Sequence, residues 1–63
     1  MFEYEMVEKE LSNPECKKYL NEMGEEGWEV VSFDTKLVSE FDAYGYMRYK
    51  TKIIFKRKIN EDN

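Results

Sequence analysis

The stretch SNPECKKYLNEMGEEGW, residues 12–28, constrains the chain most, because it is written as one helix with a marked start and a marked stop. Ser12 and Glu15 have the spacing of a capping box, in which each side chain satisfies the other's backbone N–H. Asn13 followed by Pro14 at the first helical position is the competing cap, and both assignments start the helix near Pro14. Leu11 is placed to staple onto Cys16. Cys16, Tyr19, Leu20 and Met23 follow at the spacing of a single buried face, with Lys17, Lys18, Asn21 and Glu22 toward solvent. Gly24 stands where a left-handed residue would release the chain, and Gly27 supplies a second permissive hinge. Trp28 is the first residue able to reach back across the helix end. Its ring is expected to close the mouth of a small core; stacking on a ligand is the competing role.

On both sides of this segment the apolar period shortens to that of a strand. Phe2, Tyr4 and Met6 alternate with Glu3 and Glu5, which predicts a first strand with the two acids on its wet face. The segment WEVVSFDTKLV reads as a second strand whose apolar residues occupy both parities. Trp28 and Val30 fall on one, Val31, Phe33 and Leu37 on the other, so either a bulge switches the face or both faces are covered. SEFDAYG is a loop longer than a tight turn. YMRYKTKIIFKRK forms the third strand, with Met47, Tyr49, Thr51, Ile53 and Phe55 on one face. Arg48, Lys50, Lys52 and Lys56 share the other with Ile54. The expected fold is α+β in the order β-α-β-β, one helix packed on a three-stranded, mainly antiparallel sheet. Strand three inserted between one and two satisfies the connection rule. Residues 1–59 are expected to form one domain and residues 60–63 a frayed tail.

YEMV, then YLNEMGEEGWEVVSF, then a closing IIFKRK resembles a small uncharacterised domain family found in bacteria and their phages. In that family a Leu-Asn-x-x-Gly-x-x-Gly-Trp-Glu-Leu/Val segment joins a helix to a strand. Leu20, Asn21, Gly24, Gly27, Trp28, Glu29 and Val30 occupy the motif positions here. The resemblance covers nearly the whole chain and implies a compact α+β unit. It implies no activity and no catalytic residue.

Function is bounded first by what is missing. The 63 residues include one Cys and no His, so neither an internal disulfide nor a Cys/His zinc site can form. Ser/His/Asp and Cys/His catalysis is excluded with them. Cys16 near a helix start could carry a lowered pKa, but its place on the apolar stripe predicts an inert buried thiol. Glu22, Glu25, Glu26 and Glu29 lack the converging oxygens of a calcium loop, so a solvated acidic turn is expected, with no metal and no cofactor. The chain starts acidic and has no long apolar run, and a soluble, cytoplasmic, non-enzymatic protein is expected.

What remains is binding. A chain this short buries only about 60% of the surface it exposes when unfolded, and self-association is the usual reinforcement left to it. Val7, Val31, Phe33 and Ile54 sit on parities that one helix does not obviously cover, so a homodimer or higher oligomer is expected. Phe41, Tyr44 and Tyr46 cluster around the loop and, with Arg48 and Lys50, form the candidate contact for a host protein or an anionic small molecule. A phage-type accessory protein fits that description. The alternative is a nucleic-acid-binding regulator using Arg48, Lys50, Lys52 and Lys56. Six of the ten basic residues lie within residues 48–58, while nine of the fourteen acids lie within residues 1–29. The opposing reading pairs those lysines with Glu3 and Glu5 across a wet sheet face.

Overall fold

The computed structural model describes residues 1–59; the expected fraying of 60–63 lies outside the described residues. Strand β1 (Phe2–Ser12), helix α1 (Asn13–Glu25), strand β2 (Glu29–Ser39) and strand β3 (Arg48–Lys58) follow in chain order. The sheet order is β1-β3-β2, and β3 pairs antiparallel with both neighbours, the arrangement expected from the sequence. The fold is α+β.

The helix begins as its sequence dictates. Ser12 is the N-cap: the Glu15 N–H donates to Ser12 Oγ at 3.4 Å, and the Ser12 N–H donates to Glu15 Oε1 at 3.0 Å. The stop lies one turn later than Gly24 suggests. Gly24 remains helical, Glu26 is the C-cap, and Gly27 takes the left-handed conformation at φ 91°. The Trp28 N–H reaches Met23 O at 3.1 Å and the Gly27 N–H reaches Gly24 O at 2.9 Å, the paired bonds of a Schellman cap. Two glycines three apart offered two stopping points, and the one that lets Trp28 turn onto the sheet is used.

β3 faces two environments. Thr51, Ile53 and Phe55 are buried beneath the helix side, and Ile53 and Phe55 are the two fully buried apolar side chains among the described residues. The Tyr19 and Trp28 rings meet Phe55 edge-on, with centroids at 6.0 and 6.4 Å. β2 does contain the face-switching bulge. Its register on β3 slips between Val30 and Ser32, so Val30 (opposite Phe55) and Phe33 (opposite Ile53) come to the same side. A second slip follows between Leu37 and Ser39.

β1 turns the opposite way from its expected orientation. Glu3 opposes Arg57 and Glu5 opposes Phe55, which puts both acids on the helix side. Phe2, Tyr4 and Met6 lie on the outer face and are exposed. The physical reason sits further along the strand: Val7 opposes Ile53 and Leu11 opposes Tyr49, so odd positions supply the apolar contacts under α1. Glu3 is tolerated on that side because Arg57 binds it, Nη2 to Oε1 at 2.8 Å. Cover is incomplete. A 13-residue helix is about 20 Å long, and 11-residue strands run about 36 Å. Cys16, Tyr19, Leu20 and Met23 face inward as expected, but each stays only half-buried.

The two glycines separate cleanly by substitution. Gly24→Ala, whose Cβ meets nothing within 4 Å, should stabilise the protein by about 0.5–1 kcal/mol through helix propensity. Gly27→Ala should destabilise it by about 1–2 kcal/mol, the cost of a left-handed backbone. Urea unfolding of both variants reads the opposite signs.

Candidate functional site

The loop after β2 is a built structure. Asp42 Oδ1 accepts the Tyr44 N–H at 2.8 Å and the Tyr46 N–H at 3.0 Å, while the Asp42 N–H donates to Tyr46 O at 2.7 Å. Gly45, at φ 85°, makes the reversal possible. These bonds hold the loop by its backbone and leave its rings free: Phe41, Tyr44 and Tyr46 are all exposed, Tyr44 at 86%.

Arg48 is the post on which this loop hangs. Its Nη1 donates to Glu15 Oε1 at 2.6 Å and lies 3.5 Å from Asp42 Oδ2; Nε reaches Glu10 Oε2 at 3.5 Å and Nη2 reaches Glu10 O at 3.1 Å. One guanidinium therefore ties together the end of β1, the first turn of α1 and the loop. The acids respond. The Ser12 N–H first, then Arg48, holds the Glu15 carboxyl below its usual range. The Tyr46 N–H first, then Tyr44 and Arg48, does the same for Asp42. Of the residues proposed for ligand contact, Phe41, Tyr44 and Tyr46 thus face solvent together, whereas Arg48 is occupied beneath them.

The basic row on β3 is interleaved with acids. Lys50 lies between Glu10 and Lys36, and Lys52 between Glu8 and Asp34. Lys56 lies between Tyr4 and Glu29, with its Nζ 4.6 Å from the centre of the Phe2 ring. The acids opposite this row are Glu8, Glu10, Glu29 and Asp34; Glu3 and Glu5 are on the other face.

Two features escaped the sequence reading. Arg57 stacks on Trp28 with its Cζ 4.3 Å from the ring centre, binds Glu3, and donates to Glu26 O at 3.3 Å, closing the helix C-terminus. Only the Lys-Arg-Lys ending hinted at it, and nothing there distinguished Arg57 from its neighbours. The second is a cleft of about 270 Å³ beside α1. Leu11, Asn13 and Cys16 form one wall, and Phe33, Thr35, Tyr49 and Thr51 the floor and far side. The mixed parity of β2 was its signal, since the bulge is what brings Phe33 to this face.

Burial pushes the Cys16 thiol up from its ordinary pKa. Among the described residues, no group of three or more Asp, Glu, Cys or His could hold a metal ion. No described helix is long and apolar enough to cross a membrane.

Two measurements follow from these charges. Cys16 should react with a thiol reagent at neutral pH several-fold more slowly in the folded protein than in urea, because less thiolate is present and access is partial. Glu15 and Asp42 have lowered folded pKa values, so they contribute stability above their unfolded values, near 4.5 and 3.8, and lose it as pH falls through the folded ones. Acid titration of Asp42→Asn should accordingly show a shallower loss of stability through that window than the wild type.

No solved structure matches the chain, and no curated protein does. The family described as Domain of unknown function (DUF4177) matches residues 2–58. With nearly its whole length inside that match, the chain belongs to this family of unknown function.

Proposed function

We propose that the protein is a non-enzymatic binding module that works as a homo-oligomer and presents its aromatic loop to a partner protein. One observation carries this reading. Only Ile53 and Phe55 are fully buried apolar side chains among the described residues, while Phe33, Leu37, Phe41, Tyr44 and others lie exposed. A subunit with so small a core gains by covering that surface with protein. The loop supports the second half of the proposal. Its backbone is fixed by Asp42, so Phe41, Tyr44 and Tyr46 need little ordering on binding, and rigid aromatics make efficient anchors.

The same geometry favours protein over nucleic acid. Phosphate binding needs uncompensated positive charge, and the lysine row has acids on adjacent strands. Arg48 already serves Glu10, Glu15 and Asp42, which also argues against a free anion at that point. An accessory role of the phage type, in which a small protein blocks a protein of its host, requires no more than this.

Light scattering at micromolar concentration should give a mass above that of one 7.7 kDa chain. Immobilised protein should retain a partner from bacterial lysate that Phe41→Ala/Tyr44→Ala loses and nuclease treatment does not. Retention that disappears with nuclease and with Lys52→Ala/Lys56→Ala, but survives the loop variant, would overturn the proposal in favour of nucleic acid.

A further inference from the structure

We infer that two copies of the chain pair β2 against β2 about a two-fold axis at Thr35, joining their sheets into one six-stranded sheet. The inference rests on the oligomeric reading above and specifies its surface. β3 occupies the centre of the sheet, so β1 and β2 are both edges. They are not equivalent. Residues 2–12 carry four glutamates and one lysine, a charge that repels a second copy of itself. β2 carries Asp34 and Lys36 on either side of Thr35, and its exposed apolar residues include Phe33 and Leu37, again on either side.

That sequence complements itself when reversed. With Thr35 opposite its own copy, antiparallel pairing sets Asp34 against the partner's Lys36 and Phe33 against the partner's Leu37, each contact occurring twice. The faces agree as well. Phe33, Thr35 and Leu37 oppose Ile53, Thr51 and Tyr49 on the helix side, while Asp34 and Lys36 oppose Lys52 and Lys50 on the outer side. Shifting the register by two residues either way sets Asp34 or Lys36 against itself, so this alignment alone pairs the charges. The bulges at Val31 and Val38 confine regular backbone to the intervening segment, which limits sliding.

Lys36 also lacks a favourable neighbour within one subunit. Lys36 opposes Lys50, a like-charge pair, and neither Asp34 nor Lys36 makes an ion pair with another described residue. The partner's Asp34 supplies what Lys36 lacks. On the helix side, the Phe33–Leu37 contacts extend the far wall of each cleft across the axis.

A charge swap tests this. Lys36→Asp and Asp34→Lys should each raise the dimer dissociation constant by about tenfold or more, through two repulsive pairs per dimer. The double variant Asp34→Lys/Lys36→Asp should restore it. Sedimentation equilibrium reads the constants, and circular dichroism confirms the fold. Lys36→Asp is the safer single change, because it replaces a repulsive contact with Lys50 by an attractive one inside the subunit. Single variants that dimerise like the wild type, or a double variant that stays dissociated, would overturn the β2 interface while leaving an oligomer formed elsewhere. A monomeric wild type would overturn both.

Discussion

The sheet depends on its last strand. β1 and β2 do not touch each other's hydrogen-bonding edges; each is completed only when β3 enters between them. The outermost pairing, Phe2 with Lys58, joins the two ends of the domain. A sheet closed by such distant partners forms late and at a high entropic cost. The two arginines of β3 are placed where that cost can be offset. Arg48, at its first residue, binds Glu10, Glu15 and Asp42; Arg57, next to its last, binds Glu3, the helix C-terminus and Trp28. Each fastens β1, α1 and β3 at one end, and between them lie Thr51, Ile53 and Phe55. Polar clamps at both ends and a short apolar middle are how this domain orders three strands without a disulfide or metal among its described residues.

That economy explains the surface. A helix shorter than the sheet covers β1 and the centre but leaves β2 open, because α1 runs straight from the end of β1 and packs beside it. Phe33 and Leu37 are therefore on the covered side of the sheet and still about half exposed. Their exposure follows from the position of the helix. The outer face shows the same economy at its other end, where Phe2 and Tyr4 lie beside Lys56 and its ammonium sits over the Phe2 ring in place of a second helix.

Much of this was legible in the sequence, and the exceptions have physical causes. The central place of β3 was expected from the connection rule, and the capping box, the helix face and the parity of that strand follow from local spacing. The direction of β1 did not, because Phe2, Tyr4 and Met6 on one parity and Val7 and Leu11 on the other are nearly balanced. Val7 and Leu11 take the helix side, and Glu3 is accommodated there by Arg57, a contact 54 residues apart in the chain. Gly24 and Gly27 were both sound stops locally, and only Trp28's need to reach Phe55 selects the second. The aromatic loop was visible as a cluster. Arg48's role beneath it was not, since its three carboxylates come from β1, α1 and the loop and are brought together only by the fold.

Those three carboxylates also couple the two regions of the molecule that remain open. The second bulge of β2, at Val38, ends the regular edge just before the loop that Asp42 organises. Arg48 ties that loop to the capping residue Glu15, and Glu15 fixes the start of the helix that forms one wall of the cleft. The loop and the edge strand are therefore mounted on one short frame rather than on independent hinges. A partner gripping Tyr44 would act on a rigid neighbour of β2, and a second copy seated on β2 would hold the loop's base in place. In a chain of this size, binding and assembly of the kind proposed would share the same few contacts, because there is no second core to separate them.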